Sequence, residues 1–287
     1  MRGHPQPTDP SYEPTTSVAS ISADAPIGEI LAIPERDGGW LCMGIDIDVK
    51  AHQKNVKSTE NSALHIIPIE TLAVPGLVGK TPTVAKICEF PVLEQLRTHI
   101  LKDEFSIIRE DYVEENAIDP LLSVSITLHI GYGASRQRLH RDDNVHGIRH
   151  EGKFELSKAS QFACLIAGTK TTRQNGATMF IPGSHKWDDS RTPQLNEICF
   201  AEMEQGSALI FLASCYHGGG HNSVLQATGT MRTEENQFWA VPHSKALIMS
   251  DKMLSLIGYK KPTTVLGIVE NNDPALDLLA LLKMVTA

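Results

Sequence analysis

The feature that most constrains this fold is a pair of metal-binding side chains, His140 and Asp142, separated by one residue. Alternate side chains of a strand point to the same face, so these two can bind one cation together. One further imidazole would complete a site, and His217 supplies it 75 residues after Asp142, in the run Cys-Tyr-His-Gly-Gly-Gly-His-Asn. The chain must therefore return His217 to the first pair across several strands. We call these three residues the triad.

Two histidines and one carboxylate also predict chemistry. When they occupy one face of an octahedron, three positions stay open, which is the arrangement that non-haem Fe(II) oxygenases use. Zinc accepts the same three ligands and keeps one position for water, as in a hydrolase. The triad therefore predicts an oxygenase, and ligand type alone leaves a zinc hydrolase open as the alternative.

Hydrophobic periodicity predicts a mainly β chain. From Leu122 to Ile130, apolar and polar residues alternate with a period of two, which is typical of a half-buried strand leading toward the triad. Further strands are predicted at 162–167, 208–215 and 231–241, and helices at 91–101 and 275–284. Strands separated by glycine-rich turns, with helices in the first half and at the C-terminus, favour a double-sheet sandwich or jelly roll with flanking helices.

Composition narrows the class of protein. The 287 residues suffice for one large domain, which we expect at 26–287 after a disordered tail at 1–25 that is rich in Pro, Ser and Thr. A net charge of -8 argues against nucleic acid or an anionic membrane as the main partner. The absence of a long apolar stretch or a signal peptide predicts a cytoplasmic protein without a membrane span. The five widely spaced cysteines are predicted to be reduced.

Several further motifs occur in an order that is typical of one enzyme family. They are Leu139-His140-Arg141-Asp142-Asp143, Gly176-Ala177-Thr178, Ile181-Pro182-Gly183-Ser184-His185, Tyr216-His217-Gly218-Gly219-Gly220-His221-Asn222 and Arg232-Thr233-Glu234-Glu235-Asn236-Gln237. With these motifs the chain resembles, from about residue 28 to its end, the phytanoyl-CoA dioxygenase family. Within that family it is similar to the fungal branch that oxidises meroterpenoids and alkaloids. The resemblance implies a double-stranded β-helix (jelly-roll) fold, Fe(II), O2 and 2-oxoglutarate, and often a homodimer.

The resemblance also implies roles for single residues. The triad matches the family's iron ligands and is the predicted catalytic centre. Gln137 and Thr178 match positions that contact 2-oxoglutarate, and Asn222 matches a residue beside the cosubstrate pocket. The implied reaction oxidises a C–H bond of a small terpenoid or alkaloid by hydroxylation, desaturation or rearrangement. Because aromatic residues make up only 6% of the chain, we expect a mainly aliphatic pocket, which suits a terpenoid-like substrate.

The chain departs from the family after His217. In the family, an arginine about ten residues beyond the distal iron-binding histidine forms a bidentate ion pair with the far carboxylate of 2-oxoglutarate. In this chain no lysine or arginine occurs between His217 and Arg232, and Arg232 matches a later arginine of the family. The segment between Asn222 and Arg232 is therefore shorter than in the family, as though most of one strand were missing.

Three explanations of the short segment stand. In the first, the short segment is an artefact of the gene model or of splicing. In the second, it is genuine and Arg232 takes the place of the family's arginine at 2-oxoglutarate. In the third, the chain has lost oxidative turnover and serves as the partner of an active paralogue or as an isomerase. The family chemistry is the favoured interpretation.

Overall fold

The protein is described by a computed structural model at residues 5–43, 67–68, 70–225, 228–236 and 248–257, with the backbone alone at 228–236. The chain divides into two compact units, one formed by residues 1–75 and 126–233 and the other by 76–125 and 234–287. The whole triad belongs to the first unit. A single domain over 26–287 stays a prediction.

Strands dominate the described residues. They are β1 Ala19–Ser22, β2 Gly39–Met43, β3 Thr71–Pro75, β4 Asp103–Ile108, β5 Val113–Ile118, β6 Ser123–Ile130, β7 Phe162–Ala167, β8 Thr178–Phe180, β9 Cys199–Ala201, β10 Ala208–Leu212, β11 His217–Gly218 and β12 Thr228–Asn236. The predicted strands at 122–130 and 162–167 are confirmed within a residue. The strand predicted at 208–215 ends at Leu212, and the strand predicted at 231–241 begins earlier, with residues 237–241 outside the described residues.

A seven-stranded sheet of order β1-β2-β10-β7-β12-β6-β3 forms the larger layer. Its centre is the antiparallel pair β7 and β10, in which Leu209 lies opposite Leu165. Residues 163–167 and 208–212 are all buried, because a central strand covered on both faces is apolar throughout. A smaller sheet of order β11-β8-β9 forms the other layer. The rings of Phe180 and Phe211 meet edge to face between the layers, with centroids 6.1 Å apart.

At residues 5–25 the structure corrects the prediction of a disordered tail at 1–25, and residues 1–4 lie outside the described residues. Strand β1 pairs in parallel with β2, and the Tyr12 hydroxyl donates a hydrogen bond to the carbonyl oxygen of Ile198 at 2.6 Å. Tyr12 also packs against the buried cluster of Met179, Ile181 and Ile198. One aromatic anchor and one strand pairing thus order a segment whose composition alone predicts disorder, because composition does not reveal distant partners.

Helices are short. Helix α1 (Ile27–Asp37) precedes β2 in the first unit, and the second unit contains α2 (Pro82–Cys88), α3 (Pro91–Leu96) and α4 (Asp251–Leu256). A π-helical turn at Arg97–Leu101 continues α3, which confirms the predicted helix at 91–101 with Pro91 in its first turn. The predicted helix at 275–284 lies outside the described residues. Within the described residues, none of the helices has both the length and the apolar character needed to cross a membrane.

Candidate metal centre

The triad lies where the segment around His140 pairs with the segment around His217. His140 and His217 form an isolated antiparallel bridge, with reciprocal N–H to O=C hydrogen bonds of 2.9 and 3.0 Å. The Asp142 amide donates to the carbonyl of Ala213 at 2.9 Å, which holds Asp142 beside the segment that leads to His217. One ligand atom from each residue lies within 4.8 Å of the other two. That separation allows all three atoms to bind one cation.

Backbone carbonyls orient both imidazoles of the triad. Nδ1 of His140 donates to the carbonyl of Arg138 at 2.7 Å, and Nδ1 of His217 donates to that of Cys215 at 3.0 Å. Because a carbonyl can only accept, the proton resides on Nδ1, and Nε2 carries the lone pair that can bind a metal. Nε2 of His140 lies 3.6 Å from Oδ1 of Asp142, and Nε2 of His217 lies 3.3 Å from Oδ2.

The most informative atom of the site is Nε2 of His217. The side chain is buried, and within the described part of the chain this nitrogen has no hydrogen-bond partner, since its approach to Asp142 lacks hydrogen-bond geometry. An unsatisfied buried polar atom costs about 1–3 kcal/mol, so it calls for an explanation. A divalent metal ion held by two imidazoles and one carboxylate would satisfy it, and the residues therefore fit a bound metal.

The glycines after His217 let β11 pass close to its neighbours. A Cβ atom on Gly220 would lie 2.5 Å from the carbonyl oxygen of Ala177, closer than any real contact. The Gly219 backbone N–H donates to the side-chain Oε1 of Gln137 at 2.7 Å, and the backbone N–H of Gln137 donates to the Gly219 carbonyl at 2.8 Å. The glycine run therefore positions the second ligand segment against the first.

A pocket opens beside His217 in the first unit. Its lining mixes aliphatic and polar residues, and consists of Ile67, Pro68, Thr71, Leu128, Ile130, Ser135, Gln137, Leu165, Gly176, Thr178, His217, Gly219 and Gly220. The structure thus brings Gln137 and Thr178 together with one triad imidazole. A contact of either residue with 2-oxoglutarate stays a prediction.

Asn222 contacts the backbone of Ile130, a residue that lines the pocket. Its side chain is buried, with Nδ2 donating to the carbonyl of Ile130 at 2.9 Å and Oδ1 accepting from the Val224 amide at 2.9 Å. It is absent from the residues that line the described pocket. Asn222 therefore ties the end of β6 to the chain beyond β11, and its contact with a cosubstrate stays a prediction.

Arg232 lies on β12, where its Cα pairs with that of Leu165 on β7. Leu165 lines the pocket, so the backbone register brings the position of Arg232 to the strand beside it.

The sequence analysis assigned no role to Arg141, the residue between the first two ligands. Its side chain is buried, and its guanidinium lies over the ring of Tyr216, the residue before His217. The signal was present in the sequence. If His140 and Asp142 share one face of a strand, the residue between them occupies the opposite face.

Burial lowers the pKa of His185 to about 4. Its Nε2 donates to the carbonyl of Glu35 at 3.2 Å, and its Nδ1 is buried without a hydrogen-bond partner among the described residues. The unfolded chain protonates near pH 6.5. Between pH 6.5 and 4 the unfolded state thus binds more protons, so this group makes stability fall as pH drops through that window.

We therefore expect His185→Gln to flatten the pH dependence of unfolding. The stability lost by the parent protein between pH 7 and 4.5 should shrink by up to about 3 kcal/mol in the variant. Urea unfolding of both proteins at the two pH values measures the difference. Equal losses in parent and variant would show that His185 is protonated as readily in the fold as in the unfolded chain.

Comparison with known proteins gives one family and a consistent set of relatives. The family described as Phytanoyl-CoA dioxygenase (PhyH) matches residues 47–227. Dioxygenase swnH1 of Metarhizium robertsii is 49% identical over 304 residues, covering 99% of each chain. Dioxygenase swnH2 of Arthroderma benhamiae is 40% identical, covering 97% of this chain and 96% of the relative. The alignment with swnH1 is longer than this chain's 287 residues, which is in keeping with a shortened segment.

Solved structures are similar in fold. HygX from Streptomyces hygroscopicus, crystallised with nickel and 2-oxoglutarate, gives a TM-score of 0.51 at 13% identity and covers 73% of this chain and 86% of that chain. The non-heme alpha ketoglutarate dependent epimerase SnoN from nogalamycin biosynthesis gives 0.50 at 14% identity, covering 72% and 80%. At these identities the likeness concerns the fold alone, and it confirms the predicted mainly β, jelly-roll class.

Proposed function

This chain belongs to the phytanoyl-CoA dioxygenase family, and from that premise we propose that it is an Fe(II)- and 2-oxoglutarate-dependent dioxygenase that oxidises a C–H bond of a small secondary metabolite. The observation that carries the proposal is the buried Nε2 of His217, which lies beside His140 and Asp142 and has no hydrogen-bond partner in the described part of the chain. Two imidazoles and one carboxylate on one side of an ion leave room there for a chelating oxo acid and for O2.

In the proposed reaction, the triad holds the metal and the pocket holds the organic molecules. When bound, iron and 2-oxoglutarate supply the oxidation of a C–H bond, at the expense of O2 and with decarboxylation of the oxo acid. Gln137 and Thr178, which line the same pocket as His217, provide polar contacts to 2-oxoglutarate. The carbonyls of Arg138 and Cys215 keep each imidazole in the tautomer that a metal requires.

The proposed substrate class rests on the aliphatic residues that line the pocket. Leu128, Ile130 and Leu165 line it together with Ile67. Apolar side chains of this kind exclude water and favour an apolar ligand that is oriented by few polar groups. We therefore propose a terpenoid-like substrate, of the meroterpenoid kind, that is hydroxylated, desaturated or rearranged. A homodimer, or a heterodimer with a paralogue, and a cytoplasmic location stay predictions.

The decisive test of the function is anaerobic reconstitution. The purified protein with Fe(II) and 2-oxoglutarate should develop the weak visible charge-transfer band of this cofactor pair and, once O2 is admitted, should form succinate. A zinc hydrolase would retain zinc through purification and show no band. A non-catalytic partner subunit would also show no band, but it would co-purify with an active paralogue. Triad substitutions in this chain would then leave the turnover of the paralogue unchanged.

We further propose that Arg232 takes the place of the family's missing arginine. Residues directly opposite each other in an antiparallel pair occupy the same face of a sheet, and the Cα partner of Arg232 is the pocket residue Leu165. An arginine on this face would offer two parallel N–H groups to the far carboxylate of 2-oxoglutarate.

Replacing Arg232 with Gln should therefore weaken 2-oxoglutarate binding by about 10- to 100-fold, because a hydrogen bond to a charged group contributes about 1.5–3 kcal/mol. Arg232→Lys should fall between the two, since it keeps the charge and loses the second prong. Anaerobic titration of the charge-transfer band at fixed Fe(II) measures the dissociation constant. An unchanged constant in Arg232→Gln would mean that another group binds the far carboxylate.

A further inference from the structure

Arg141 lies between two triad ligands and is 2% exposed. His140 and Asp142 face the metal site, whereas the side chain of Arg141 extends behind it. Burying a guanidinium is costly, and well-packed apolar side chains are often as stabilising as a buried ion pair. Its Nε is also buried with no hydrogen-bond partner among the described residues, which adds to the cost. Stability alone therefore gives no reason for an arginine at this position.

The guanidinium is held on several sides. Nη1 contacts Oδ1 of Asp189 at 3.0 Å, and Nη2 donates to the carbonyls of Ser184 at 3.0 Å and Trp187 at 2.6 Å. Its central carbon lies 4.4 Å from the centre of the Tyr216 ring, within cation–π distance. A planar, five-donor group meets this set of partners, and an ammonium would not.

Tyr216 connects this arrangement to the other ligand segment. It directly precedes His217, and its amide donates to Oγ of Ser184 at 2.8 Å. Arg141 and Tyr216 therefore lie on the reverse side of the two segments whose ligands face each other. The turn at 184–187 contacts both of them.

We propose that Arg141 and Tyr216 form a clamp behind the site, which fixes the distance between the two ligand segments and so raises the affinity of the triad for a divalent metal. Both are positioning residues, because neither ring nor guanidinium takes a place among the ligand atoms. The inference rests on the proposed function only in that the triad binds a metal. Residues that orient ligands typically change metal affinity by about 10- to 100-fold when they are replaced.

Mn(II) binding to the full chain tests the clamp, because Mn(II) accepts the same ligand types as Fe(II) without being oxidised in air. Binding is followed by the loss of the free Mn(II) signal in electron paramagnetic resonance. Tyr216→Phe retains the aromatic face and should bind within about twofold of the parent. Tyr216→Leu and Arg141→Lys should each bind about tenfold or more weakly.

A matched control is the cation–π pair of Arg173 and Phe200, whose guanidinium carbon lies 4.8 Å from the ring centre. Arg173→Met removes an arginine from an aromatic face outside the clamp and should leave Mn(II) affinity unchanged. Melting of the metal-free proteins separates general destabilisation from an effect on the ligands. If Arg141→Lys does not fold, the comparison of Tyr216→Phe with Tyr216→Leu decides.

The clamp is overturned if Tyr216→Leu binds Mn(II) as tightly as the parent, whatever its melting temperature. Failure of the proposed function has a different signature, because then the parent itself would not bind Mn(II), or Asp142→Ala would bind as well as the parent.

Discussion

Asp142→Ala should abolish metal binding and, with it, turnover. Asp142 is the one anionic ligand of the triad, and its two oxygens lie 3.6 and 3.3 Å from the Nε2 atoms of the two histidines. Without it, only two imidazoles remain, which are too few ligands to hold a ferrous ion firmly. Because loss of a residue that merely orients a ligand costs about 10- to 100-fold in affinity, loss of the ligand should cost more than about 100-fold.

The effect should be specific to the metal. The Asp142 amide keeps its hydrogen bond to Ala213 when the side chain is removed, so the metal-free variant should melt near the metal-free parent. Asp188→Ala, which removes an exposed aspartate in the same unit, should bind metal as the parent does. Anaerobic Fe(II) titration and succinate formation measure both effects. Metal bound at the parent's affinity by Asp142→Ala would remove the triad from the mechanism.

Gly38→Ala should be the most destabilising of the small substitutions considered. Gly38 ends helix α1 with φ +77°, a left-handed conformation that disfavours any side chain, and its amide donates to the Pro34 carbonyl at 3.0 Å. An added Cβ would lie 2.2 Å from Sγ of Cys215 and 2.4 Å from Nδ1 of His185, both in buried side chains. Backbone strain and overpacking together should cost about 2–5 kcal/mol.

A second glycine separates these two costs. Gly152 has the same φ of +77° but no atom within 4 Å of an added Cβ, so Gly152→Ala should cost only about 1 kcal/mol. Urea unfolding of both variants gives the difference that is due to packing. Gly38→Ala should also weaken metal binding, because the carbonyl of Cys215 orients His217. Equal losses for the two substitutions would mean that the core around Cys215 relaxes freely.

Much of the fold follows from local patterns in the sequence. The alternation from Leu122 to Ile130 places β6 within a residue, and the apolar run at 162–167 matches β7, because side-chain alternation and continuous burial are properties of the strand itself. The disordered tail was a wrong prediction, since Tyr12 is held by Ile198, a residue that no local pattern connects with it.

The sequence by itself determined the ligand types of the site. The strand expected at His140 and Asp142 is not present, since the structure has only a one-residue bridge at His140 and Asp142 adopts an αR backbone conformation. The short spacing still brings both ligands to one site, and the residue types of the triad restrict the metals that suit it. These are consequences of covalent geometry and ligand chemistry, so they can be derived from the chain without its fold.

Only the tertiary structure decided how the site is supported. It placed the guanidinium of Arg141 over Tyr216, turned the side-chain amide of Asn222 toward backbone atoms, and left Nε2 of His217 buried without a hydrogen bond to any described residue. Each of these three features depends on how segments that are far apart in sequence pack against each other. Local periodicity carries no information on that packing, because many arrangements of the same strands satisfy the same alternation.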